Sequence, residues 1–140
     1  MFENLLLAVD GSEHALRAAR VAASLAQAMN SQTLRIVVAY DPIPPYLGEP
    51  YLQNAINARL DEAQEVLKKA VQTVGNVPAE IQTEHLEGDA AEAILRAAET
   101  HGSDVIVMGS RGLGRLTGLL LGSTSQKVVS HASCPVLIVR

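Results

Sequence analysis

No tryptophan occurs among the 140 residues, and one phenylalanine and three tyrosines bring the aromatic content to only 3%. The hydrophobic fraction is nevertheless 48%, so the core must be built from Leu, Val, Ile and Ala, the composition of helices packed closely on a sheet. Cysteine is almost missing too. The single Cys134 excludes an internal disulfide, which suits a reducing cytoplasm. No apolar run approaches the length of a membrane span, and the N-terminus MFENLLLAVDGSE has neither the basic region nor the cleavage site of a signal peptide. We therefore expect a cytoplasmic protein without a membrane partner. A net charge of −4 argues against a nucleic-acid partner, which would call for a basic stripe.

Apolar patterning divides the chain into alternating strands and helices. Leu5 to Val9 is a continuous apolar run ended by Asp10-Gly11-Ser12, as for a strand buried on both faces, with Ser12 placed to cap the helix that follows. From Glu13 to Met29, Ala18, Val21, Ala22, Leu25 and Met29 recur at helical period. A second strand spans Thr33 to Tyr40 and runs into the proline-rich loop IPPYLGEP, which we expect to be the least ordered segment. Ile56, Leu60, Ala63, Leu67, Ala70 and Val74 form the stripe of a second helix, Tyr51 to Val74. Glu80 to Leu86 alternates polar and apolar residues like a half-exposed edge strand. Asp89 is placed to cap a third helix, Ala90 to Thr100; the strand VIVM, a glycine-rich loop, a fourth helix and a last strand, Val136 to Val139, complete the chain.

This alternation predicts one domain, residues 1–140, of α/β class: a doubly wound, five-stranded parallel sheet of order 3-2-1-4-5 with helices on both faces. The order reverses between the first and fourth strands, and ligands in such folds bind beyond the strands' carboxyl ends at the reversal. Asp10 ends the first strand and Gly109 the fourth, so topology alone brings both to one crevice.

The loop after the fourth strand holds five glycines, Gly109, Gly112, Gly114, Gly118 and Gly122. Such a run lets the backbone approach a ligand and turn its N–H groups on an anion. Ser123-Thr124-Ser125-Gln126 fits an S-x-x-Q capping box, which would set a helix N-terminus at the loop's exit with Ser123 as cap. Acidic residues stop at Asp104, whereas Arg111, Arg115 and Lys127 lie in or beside the loop, giving a local cationic field suited to a small polyanion. The pattern predicts a phosphate cradle.

Neither a Walker A loop nor a dinucleotide fingerprint is present: Gly112, Gly114 and Gly118 make G-x-G-x-x-x-G, one residue too long, with no acidic residue beyond. His85, His101 and His131 have no metal-ligand spacing with a second His, Cys or carboxylate, so no protein-held metal site is expected. What fits is Gly109-x-x-Gly112, nine residues, then Gly122-Ser123. This motif resembles the ATP-binding branch of the universal stress protein family, whose signature is G-x2-G-x9-G-[ST]. The resemblance extends along the chain, through Asp10-Gly11-Ser12, Val107-Met108 before the first motif glycine, and the closing Cys-Pro-Val-Leu-Ile-Val.

The resemblance implies an adenine nucleotide α-hydrolase-like fold that holds ATP with Mg2+. Adenine is expected at Ala8 and Ala39, and ribose at Asp10 and Gly109 with Met108 alongside. Phosphates are expected at Gly112, Gly122, Ser123, Thr124 and Ser125, with Gly114, Arg111 and Arg115 around them. Asp10 can also join a Mg2+ shell through water. The family suggests a homodimer through Val136 to Arg140, whose unpaired edge would otherwise invite association. No placed base or water-positioning residue is apparent, so a binding and regulatory role is favoured over very slow ATP hydrolysis or autophosphorylation, with AMP or a cyclic nucleotide as the other candidate ligand.

Overall fold

The structure is a computed structural model that describes residues 1–112 and 121–140. Five strands, β1 (Asn4–Val9), β2 (Thr33–Tyr40), β3 (Glu80–Glu87), β4 (Val105–Gly109) and β5 (Val136–Val139), alternate with the helices α1 (Glu13–Met29), α2 (Tyr51–Val74), α3 (Ala90–Thr100) and α4 (Ser123–His131). Neighbouring strands are all parallel and their order is β3-β2-β1-β4-β5, as the alternation predicts. The proline-rich loop contains a 3-10 turn at Pro45–Leu47.

Strand periodicity splits the core in two. Leu5, Leu7 and Val9 join Leu34, Ile36, Val38, Val105 and Val107 in a cluster with α1 and α2, while Leu6, Ala8, Val37, Ile106 and Met108 join α3 and Val128 of α4. Each fully buried Leu, Ile or Val contributes about 1.5–3 kcal/mol, so β1 and β4, buried on both faces, anchor both layers. Alanines at 15, 18, 19, 22 and 26 form the buried face of α1, and their small side chains let its axis approach the sheet; of the stripe expected from the sequence Ala18 and Ala22 lie on this face, Val21 and Leu25 are half-buried at its margin and Met29 is exposed. The approach is closest at Gly109, where a Cβ would stand 2.7 Å from His14 Cβ and 2.8 Å from the His14 carbonyl carbon.

The stripe expected of α2 holds in its second half, where Ala63, Leu67, Ala70 and Val74 are buried; Ile56 and Leu60 are only half-buried. At about 1.5 Å per residue the helix is roughly 36 Å long, whereas β2 at about 3.3 Å per residue covers roughly 26 Å. The sheet cannot cover the whole helix. At the two edges, β3 alternates between exposed and half-buried residues, and β5 has its Leu137 exposed. Among the described residues no helix is long and apolar enough to cross a membrane.

Candidate functional site

Two turns meet at the carboxyl ends of β1 and β4. In the first, Asp10 Oδ1 accepts the Ser12 N–H at 2.9 Å, and Ser12 Oγ accepts the Ala15 N–H at 3.2 Å, capping α1 as its position predicts. In the second, the Ser110 N–H donates to Val139 O of β5 at 2.7 Å, while Ser110 O accepts the Gly122 N–H at 2.7 Å. The turns touch at Gly112: a Cβ there would lie 2.5 Å from Asp10 Oδ2.

Between them opens a cavity of about 240 Å3. Ala8, Val37, Ala39 and Met108 give it an apolar strand floor, and Ala90 and Ile94 of α3 line it from the helix layer. Asp10, Gly109, Arg111 and Gly112 contribute from the turns, and Gly122, Ser123, Thr124 and Ser125 from the start of α4. Asp10 is the one carboxylate among the described lining residues. Across the helix layer, Lys127 Nζ of α4 lies 3.5 Å from Asp89 Oδ2, which also caps α3 by accepting the Glu92 N–H at 3.1 Å. The Glu92 N–H holds the Asp89 carboxyl below its usual value against an opposing desolvation, and the Lys127 ammonium adds to the lowering.

The start of α4 differs from the capping box that Ser123-x-x-Gln126 suggests. Gly122 is the N-cap, without a side-chain cap bond, and Ser123 is the first helical residue. Ser125 is the reason. Its buried hydroxyl donates backwards to Ser110 O at 2.9 Å and Gly122 O at 3.1 Å, fixing Gly122 as the entry to the helix. Among the described residues the Ser123, Thr124 and Ser125 N–H groups have no acceptor, and Ser123 is exposed with its hydroxyl uncommitted. The positive end of the α4 dipole thus opens on the cavity.

Eleven of the thirteen residues picked from the sequence therefore line one cavity: Ala8, Asp10, Ala39, Met108, Gly109, Arg111, Gly112, Gly122, Ser123, Thr124 and Ser125. Gly114 and Arg115, like Gly118, lie outside the described residues. Within the cradle the Gly122 N–H is spent on Ser110 O, so that amide faces protein instead of ligand. Sequence reasoning missed Val9, Ala15, Val37, Ala90 and Ile94. Val37 was within reach of it, since it stands two before Ala39 and shares its side of β2. Ala90 and Ile94 lie one turn apart on α3, and only the packing of α3 brings that turn to the crevice.

The model of the universal stress protein family matches residues 1–140. The chain belongs to this family. A universal stress protein of Thermus aquaticus is 52% identical over 140 residues, covering all of both chains. The universal stress protein UspA of Lactobacillus plantarum superposes with a TM-score of 0.86 at 29% identity, over 99% of this chain and 98% of that one. A universal stress protein solved in complex with cAMP superposes with a TM-score of 0.71 at 26% identity, over 97% of this chain and 95% of that one. The fold is thus shared with these two universal stress proteins, one of which was solved with cAMP bound.

Proposed function

We propose that this universal stress protein binds ATP with Mg2+ in the cleft between β1 and β4 and acts in the cytoplasm as a nucleotide-dependent regulatory homodimer. The observation that carries the reading is that one cavity joins an apolar floor to an uncapped helix start. A purine can lie against Ala8, Val37, Ala39 and Met108, with ribose hydroxyls donating to Asp10. A phosphate chain then meets the N–H groups of Ser123 and Thr124, the Ser123 hydroxyl and the Arg111 guanidinium. Asp10 would reach Mg2+ through water. The bound ion would neutralise phosphate charge; the chain's own residues orient the nucleotide.

Glycine placement supports the same reading. Gly109 and Gly112 are demanded by protein packing, because a Cβ would strike His14 or Asp10. Gly122 is not: its φ of −71° suits any residue, and a Cβ would meet Arg111, Ser110 and Gly112 at 3.5 Å or more. A ligand's close approach accounts for a glycine that packing leaves unexplained.

AMP or a cyclic nucleotide is the second reading, favoured by the cAMP complex of the related protein. Very slow ATP hydrolysis or autophosphorylation is the third; Asp10 is the one described carboxylate in the lining, and its Oδ1 is already engaged by the Ser12 N–H. Calorimetry with ATP, AMP and cAMP side by side separates the ligands. ATP should bind at least about ten-fold more tightly than AMP if the outer phosphates engage α4. Equal affinities would move the assignment to a monophosphate, and no heat with any of the three would reject it.

A further inference from the structure

Ser125 borders the cavity, yet it is 2% exposed and its single hydroxyl proton is shared between two backbone carbonyls. Ser110 is equally buried, at 3%. Its carbonyl oxygen takes both the Gly122 N–H and the Ser125 hydroxyl, which fills its two acceptor positions. On its other side the Ser110 N–H is held by Val139 O. The residue is therefore a fixed post between the edge strand β5 and the first turn of α4.

A side chain that binds phosphate needs a proton to offer. The Ser125 proton is committed to protein, and turning it outward would strip a buried carbonyl of a donor. What the bond does is set the direction of α4, and with it the direction of the open N–H groups of Ser123, Thr124 and Ser125. Resting on the nucleotide reading above, we infer that Ser125 is the positioning residue of the anion end of the cleft: its hydroxyl latches α4 to Ser110 and is not itself a ligand for phosphate. Ser123, which is not the cap, and Thr124 carry the hydroxyls left to meet the anion.

Full-length Ser125→Ala and Ser125→Thr test this, each titrated with ATP and with adenosine and each followed without ligand by amide hydrogen exchange. Ser125→Ala should lose about ten-fold in ATP affinity while adenosine stays within about two-fold of the wild type. Without ligand, its Gly122 and Gln126 amides should exchange faster. Ser125→Thr keeps the donor and should hold ATP affinity within about three-fold of the wild type. Equal losses for ATP and adenosine would overturn the inference, and so would a loss for ATP with unchanged exchange, which would make the hydroxyl a direct ligand. A wild type that binds neither compound sinks the nucleotide reading, and the exchange rates at Gly122 and Gln126 then still decide the latch. Should Ser125→Ala not fold, Ser125→Cys, which keeps the volume with a weak donor, is expected to change both readouts in the same direction.

Discussion

Gly112 and Asp10 are in contact across the cleft, so close that a Cβ on Gly112 would stand 2.5 Å from Asp10 Oδ2. The first and fourth strands thus deliver the two halves of the site as one unit. Gly112→Ala must push the half-buried Asp10 carboxylate aside and disturb its bond to the Ser12 N–H. We expect a loss of about 1–2 kcal/mol of stability and a larger proportional loss of nucleotide affinity, read by thermal melts and calorimetry on the same preparation. Unchanged affinity would remove Asp10 from the site.

The other two motif glycines should separate cleanly. Gly109→Ala meets the backbone of His14, which cannot rotate away, and should cost about 2–3 kcal/mol. Gly122→Ala meets only ordinary contacts and should change stability by less than about 1 kcal/mol, yet weaken ATP binding. Chemical denaturation of both variants beside ATP titration of the second checks the pair. A Gly122→Ala protein with wild-type ATP affinity would leave that glycine without a ligand to explain it.

Asp89 gives the fold an acid-sensitive joint. Its folded pKa lies below the unfolded value of 3.8, because the Glu92 N–H and the Lys127 ammonium favour the carboxylate. A depressed pKa contributes stability above the unfolded value and loses it as pH falls through the folded one. The difference in melting temperature between the wild type and Asp89→Ala should therefore be full near neutral pH and shrink as pH drops below 3.8. A difference that does not vary with pH would contradict the assignment.

Strand β5 leaves one side unpaired by its own sheet. Ile106 N–H donates to Pro135 O and Ser110 N–H to Val139 O, so backbone groups at odd positions face β4 and those of Val136 and Ile138 face outward. If two copies pair through this edge, Ile138→Pro removes an outward donor without removing a β4 bond. Light scattering at micromolar concentration should give a dimer for the wild type and a monomer for the variant. A wild-type monomer would leave the edge without the proposed partner.

Most of the architecture could be read from residue order because its signals are local and repeated. The apolar runs of β1 and β4 each depend on neighbours a few residues away, and Asp89 and Ser12 cap helices through bonds spanning three residues; of the stripe expected of α1 only Ala18 and Ala22 are buried, because the sheet packs against the small residues of that helix and leaves its larger ones at the margin. The start of α4 was misleading for the opposite reason. Ser123-x-x-Gln126 satisfies the local pattern, but the entry to the helix is decided by Ser110, fifteen residues before Ser125. The wall made by Ala90 and Ile94 was hidden likewise, since their turn of α3 looks like any other buried turn until the sheet order sets it over the cleft.

On the proposed reading, the open amides of α4 and the apolar floor hold opposite ends of one nucleotide. Backbone amide NMR during titration with ATP and Mg2+ tests it most directly. Saturable shifts should concentrate at Gly112, Ser123 and Thr124 and at Ala8 and Ala39, with adenosine moving only the second group. Absent shifts, or shifts clustered away from both groups, would contradict it.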